Sequence, residues 1–144
     1  MTTGDRKSPR RKLPNAYART RSDHQTEIAE DYVELINLLI EETGEARAVD
    51  IAHRLSVSHV TVTKTLKRLK DGGLVNTRPY RAIFLTDKGR ELALKVTNRH
   101  HAVESFLLAI GVPRDIACVD AEGIEHHVSE TTLAAMRKFS QRGK

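Results

Sequence analysis

Apolar and polar positions along this chain recur in two periods, and the change from one to the other marks its elements. Between Thr26 and Glu42, Tyr32, Val33, Leu35, Ile36, Leu39 and Ile40 recur at helical spacing and Gly44 follows, which predicts a helix over 26–42. Glu30, Asn37 and Glu41 form its polar face, whereas Asp31 projects between Leu35 and Leu38, with Glu34 at the edge of that sector. Residues 48–55 form a short helix expected to bury Val49, Ile51, Ala52 and Leu55. Ser56-Val57-Ser58 reads as a tight turn whose last serine caps a second helix over 59–71, striped by Val62, Leu66 and Leu69 and closed by Gly72-Gly73. The period then shortens. LVNTRPYRAIFLTDKG, residues 74–89, alternates around Arg78-Pro79-Tyr80-Arg81 and predicts a β-hairpin. Thr86 or Asp87 caps a long helix to about Ile110, with Leu92, Val96, Val103, Leu107 and Ile110 on one stripe and His100 among them. Gly111-Val112-Pro113 breaks the chain before a helix over 114–128, and Ser129 caps a last one carrying Leu133, Met136 and Phe139.

Two short helices, a tight turn and a following hairpin are the plan of a winged helix-turn-helix. The expected fold is therefore mostly α. A winged helix-turn-helix domain with a small β-hairpin wing occupies 23–86, and an all-helical domain, which the acids and the resemblance given below make the metal-binding and dimerisation part, occupies 87–144. The outward surface of the second short helix carries Thr61, Lys64, Lys67 and Arg68, with Ser58, His59 and Thr63 beside them. Hydroxyls and a lysine early in such a helix suit base edges, while Lys67 and Arg68 suit phosphates. Arg78 and Arg81 at the hairpin tip would lie along a backbone or minor groove. An ordinary amphipathic helix with a basic face is the plainer alternative. Coincidence of that face with the turn pattern favours duplex DNA.

Charge sharpens this division. Residues 1–22 carry a net +6, residues 23–44 a net −7, residues 45–99 a net +7 and residues 100–144 a net −1. A basic middle flanked by acidic segments suggests one part for a polyanion and another for a cation. The first 22 residues, basic and with Pro9 and Pro14, read as a disordered arm. No apolar run is long enough for a bilayer and the N-terminus has no apolar core of a secretory signal. A single cysteine excludes a disulfide framework and fits the cytoplasm.

Three helices then each hold something out of place: Asp31 and Glu34; His100 on an apolar stripe; and Glu122, Glu125 and His126 within one narrow arc of DAEGIEHHVSE. Each has a bland explanation, namely a salt bridge, a hydrogen-bonded core histidine and a solvated helix face. Together they supply four carboxylates and two imidazoles, enough for one or two octahedral ions. Such oxygen-rich coordination favours Mn(II) or Fe(II), with Zn(II) able to enter by the general affinity order. Cys118, one turn before Glu122, is expected to be a partly buried thiol and not a ligand.

The stretches EDYVELINLLIEETGEARAVDIAHRLSVSHVTVTKTLKRL, GLVNTRPYRAIFLTDKG, RHHAVESFLLAIGV and DAEGIEHHVSE resemble the manganese-sensing branch of the diphtheria toxin repressor family over about residues 28–142. The resemblance implies a Mn(II)-responsive repressor, not an enzyme, with metal sites between a DNA-reading part and a dimerising part. By matching position the ligands fall on Asp31, Glu34, His100, Glu122, Glu125 and His126. Two Mn(II) ions per subunit are expected, with Fe(II), Co(II) or Zn(II) as substitutes. Iron-sensing relatives carry Met and Cys where Asp31 and Glu122 stand here, and the barrel-like third domain of the longer iron regulators is not expected. A homodimer would read a palindromic operator in double-stranded DNA, its recognition helices about 34 Å apart or a multiple of that. An iron-responsive repressor of the same family and a winged-helix regulator with a non-metal effector are the alternatives. A di-metal carboxylate enzyme is disfavoured, because paired Glu-x-x-His motifs are missing from the sequence.

Overall fold

The computed structural model of the chain describes residues 16–78 and 82–142. Within them lie six helices and one two-stranded sheet: α1 (Ala16–Thr43), α2 (Ala48–Leu55), α3 (His59–Asp71), β1 (Val75–Thr77), β2 (Ile83–Leu85), α4 (Asp87–Ala109), α5 (Arg114–Ile124) and α6 (Glu130–Arg142). The winged helix-turn-helix followed by helices is thus present. Arg81 and residues 1–15 of the basic arm lie outside the described residues.

The helix-turn-helix forms for local reasons. α2 ends at Ser56, which takes a left-handed conformation (φ 54°) so that backbone donors reach back to α2 carbonyls. Ser58 is extended, and its Oγ accepts from the Thr61 amide at 3.1 Å, capping α3. α1, α2, α3 and the wing share one aliphatic core that includes Val33, Ile36, Ile51, Val62, Leu66, Val75 and Ile83. β1 and β2 pair antiparallel, Asn76 opposite Phe84, and the Ile83 amide donates to the Ala46 carbonyl at 3.0 Å.

The start of α4 is fastened to the end of α3. Thr86 caps α4 through the Gly89 amide, and its hydroxyl also donates to the Gly73 carbonyl at 2.6 Å. Gly89 approaches the Leu74 carbonyl so closely that a Cβ there would lie 2.1 Å from the oxygen. α4 then runs on to carry α5 and α6, with a second small core of Ala102, Val103, Ala121 and Leu133.

Several sequence expectations need correction. α1 begins at Ala16, so residues 16–22 are helical where a disordered arm was expected; with neither Gly nor Pro between 16 and 43, nothing interrupts the helix. Val49 is exposed instead of buried, because α2 meets the core mainly through Ile51. Ile110, expected on the buried stripe, is exposed at the C-cap of α4. α5 stops at Ile124 and not Val128, leaving Glu125 and His126 in the turn that follows.

Candidate metal centre

Where α1, α4 and the turn after α5 meet, polar groups replace the aliphatic core. Asp31 and Glu34 come from one turn of α1, His100 from mid-α4, Glu122 from the last turn of α5, and Glu125 and His126 from just beyond it. Glu125 keeps helical dihedrals, its amide bonded to the Ala121 carbonyl. The helical arc drawn from the sequence therefore survives the end of α5.

Glu125 is the middle of the group, fully buried. Its Oε2 lies 2.9 Å from His100 Nδ1, and its Oε1 lies 3.5 Å from His126 Nε2. Glu122 Oε1 is 3.3 Å from the same His100 nitrogen, and Asp31 Oδ1 is 3.0 Å from His126 Nε2. Burial, Glu122 and Asp31 push the Glu34 carboxyl above its usual range, against the pull of His100 and His126. All six sequence-selected groups thus act within one electrostatic neighbourhood.

Glu125 is pushed up to about 7 by burial and by the Glu122 and Glu34 carboxylates, in spite of the two histidines. Burial alone would lower His126, but hydrogen bonds to Asp31 and Glu30 and the nearby carboxylates carry it up to about 10. Without a cation, these sites therefore hold protons at neutral pH. Glu34 Oε2 and Glu125 Oε1 are buried with no hydrogen-bond partner, an expensive state for carboxylate oxygens unless a cation offsets it. The donor set fits a divalent cation preferring oxygen and imidazole.

The sequence missed four neighbours. Glu30 was assigned to a solvent face, yet it is buried, accepting from Arg99 Nη1 at 3.2 Å and pairing with His126 Nδ1 at 2.7 Å. An arginine on α4 sixty-nine positions away leaves no trace in local periodicity. Glu104 Oε2 lies 3.1 Å from His100 Nε2, a spacing of four on α4 that could have been noticed. Cys118 is exposed, contrary to expectation, and has ligand atoms of His100 and Glu104 within 4.8 Å. Glu27 groups likewise with Asp31 and His126.

On the DNA-reading side, Ser58, His59, Thr61, Thr63, Lys64, Lys67 and Arg68 are all exposed. The Ser58 and Thr61 hydroxyls bond each other at 2.9 Å, and Thr63 Oγ1 donates to the His59 carbonyl. Val60 is an exposed apolar position on the first turn of α3. Arg78, just past β1 at the turn end of the wing, lies 5.5 Å over the Phe84 ring.

The chain matches two family models: the N-terminal DNA-binding domain of iron-dependent repressors over residues 24–83, and their metal-binding and dimerisation domain over residues 86–143. It is 53% identical over 126 residues to the transcriptional regulator MntR of Escherichia coli O6:H1, covering 88% of this chain and 81% of the relative. A solved manganese-dependent transcriptional repressor in complex with manganese superposes with TM-score 0.68 at 31% identity over 78% of this chain. The structure of ScaR with bound zinc does so with TM-score 0.68 at 26% identity, again over 78% of this chain. The chain spans about half the length of those two, 52% and 53% respectively.

Proposed function

This chain belongs to the MntR branch of the iron-dependent repressor family, and from that premise we propose that it is a Mn(II)-responsive, DNA-binding transcriptional regulator. It acts mainly as a repressor in manganese homeostasis, silencing manganese uptake genes in the cytoplasm. It works as a homodimer on a palindromic operator, with up to two ions per subunit held by Asp31, Glu34, His100, Glu122, Glu125 and His126. One observation carries the metal reading. Two buried carboxylate oxygens, on Glu34 and Glu125, have no hydrogen-bond partner and stand among two imidazoles and two further carboxylates.

Mn(II), when bound, supplies positive charge and oxygen–nitrogen coordination to these side chains. The rest follows from where the side chains are rooted. Asp31 and Glu34 sit on α1, whose other face is packed into the core of the DNA-reading part. His100, Glu122, Glu125 and His126 sit on the dimerising part. With their charges offset, the carboxylates of the two parts stop repelling, and α1 is held against α4. With them bare, α1 loosens and the spacing between the two α3 helices is one of many populated. Coupling of about 1–3 kcal/mol between effector and DNA is typical of such devices.

Carboxylates at both Asp31 and Glu122 favour Mn(II) over metals that seek sulfur, whereas zinc in ScaR supports metal substitution in vitro. Gel shifts on DNA fragments selected in Mn(II) test this, run at fixed salt across Mn(II), Fe(II), Co(II) and Zn(II), with wild type and Asp31→Met. The expected result is Mn(II)-dependent binding that Asp31→Met weakens for Mn(II) more than for the other ions. Retardation indifferent to added Mn(II) would refute the proposal.

A further inference from the structure

We infer that Glu30 is a positioning residue that presents the Nε2 atom of His126 to the metal centre, and that Arg99 holds Glu30 in place for this task. The inference rests on the manganese-sensor reading above. Periodicity puts Glu30 on a solvent face, and the fold buries it.

Both oxygens of Glu30 are committed. Oε1 accepts from Arg99 Nη1 at 3.2 Å, and Oε2 is 2.7 Å from His126 Nδ1. The His126 side chain is 2% exposed and that of Glu30 5%, so neither pairs with bulk water. The opposite ring nitrogen, Nε2, faces Asp31 Oδ1 at 3.0 Å and Glu125 Oε1 at 3.5 Å. One edge of the ring is therefore spoken for by Glu30 and the other is turned into the acid cluster. A ring flip would break a short buried hydrogen bond to the carboxylate.

Carboxylates that hold the far nitrogen of a ligating histidine fix its tautomer and orientation and raise its basicity. Glu30 has the geometry for this and no free oxygen with which to be a ligand itself. A carboxylate so buried needs its own counter-charge. Arg99 provides it from α4, while its Nη2 also lies 3.7 Å from Glu130 at the start of α6. The ring of His126 is thereby set by α1, α4 and α6 at once.

The test uses the full chain and three variants: Glu30→Ala, Glu30→Gln and Glu30→Asp. Mn(II) affinity is read from the EPR signal of free Mn(II). The state of His126 is read from ¹H–¹⁵N imidazole spectra of the Zn(II)-loaded protein, which is diamagnetic. Glu30→Ala should lose roughly ten- to a hundredfold in Mn(II) affinity and the Nδ1–H signal of His126. Glu30→Gln still offers an amide oxygen to Nδ1–H, so it should keep that signal and most of the affinity. Glu30→Asp keeps the charge but withdraws it by one methylene, and should behave like the alanine variant. Equal Mn(II) affinity in wild type and Glu30→Asp overturns the inference, as does an Nδ1–H signal missing from wild type, which needs no variant to fold. Wild type that takes up no Mn(II) at all overturns the sensor reading itself, and this inference with it.

Discussion

Binding of Mn(II) at neutral pH should expel protons, in a number set by two of the proposed ligands. In the metal-free protein Glu125 titrates at about 7 and His126 at about 10. At pH 7 the first is about half protonated and the second fully so, and coordination requires both to be free of the proton. Uptake of Mn(II) should therefore release roughly 1.5 protons per subunit at pH 7, and affinity should rise about thirtyfold between pH 6.5 and 7.5. Titration calorimetry in buffers of different ionisation enthalpy counts the protons directly, and Glu125→Gln should remove about half a proton from the total. The same groups act on folding with the opposite sign. Both titrate higher folded than their ordinary 4.5 and 6.5, so each stabilises the metal-free fold while protonated. The Glu125 contribution is complete below about 4.5 and lost as pH rises through 7; that of His126 is complete below about 6.5 and lost through 10. The metal-free thermal midpoint should thus fall from pH 6 to 8, a slope that Glu125→Gln shallows and saturating Mn(II) reverses. Proton release indistinguishable from zero at pH 7 would refute the reasoning.

Other consequences follow from particular contacts. Gly89→Ala places a methyl against the Leu74 carbonyl and should cost about 1–3 kcal/mol, read as a lower urea midpoint. Ser56 holds a left-handed conformation that glycine adopts without strain, so Ser56→Gly should raise stability by about 0.5–1 kcal/mol in the same assay. If Lys67 and Arg68 contact phosphates, each alanine variant should reduce the slope of log affinity against log salt by about 1 while weakening binding to all sequences alike.

The parts of the molecule readable from sequence are those whose cause is local. α2, the Ser56–Ser58 turn and α3 follow from caps, spacing and two glycines, and α3 has the bounds expected of it. Asp31, with Glu34 at the edge of its sector, and His100 were detectable because they stand against apolar stripes, and Glu122, Glu125 and His126 because they crowd one narrow arc of a short stretch. Glu30 was not, because it sits where a solvent face should be, whereas Glu104 had a signal in its spacing of four from His100 but otherwise looks like any charged residue on α4. What defines them is a partner on another element or a ring orientation, such as Arg99 for Glu30 and His100 for Glu104. Cys118 was misjudged for a related reason: its burial depends on how α5 lies against α4, which the α5 pattern does not encode.

In the proposed mechanism, charge balance at the junction of α1, α4 and the turn after α5 sets where the two α3 helices stand in the dimer. Lifetime-resolved energy transfer between dyes at Lys70→Cys in both subunits, on a Cys118→Ser background, measures that distance without DNA. Lys70 is exposed in the last turn of α3, and Cys118 must be replaced because it too is exposed. A broad distance distribution in chelator should narrow to a single population on adding Mn(II), with no narrowing in Glu125→Gln. Identical distributions with and without Mn(II), in protein shown to bind the ion, would contradict that mechanism.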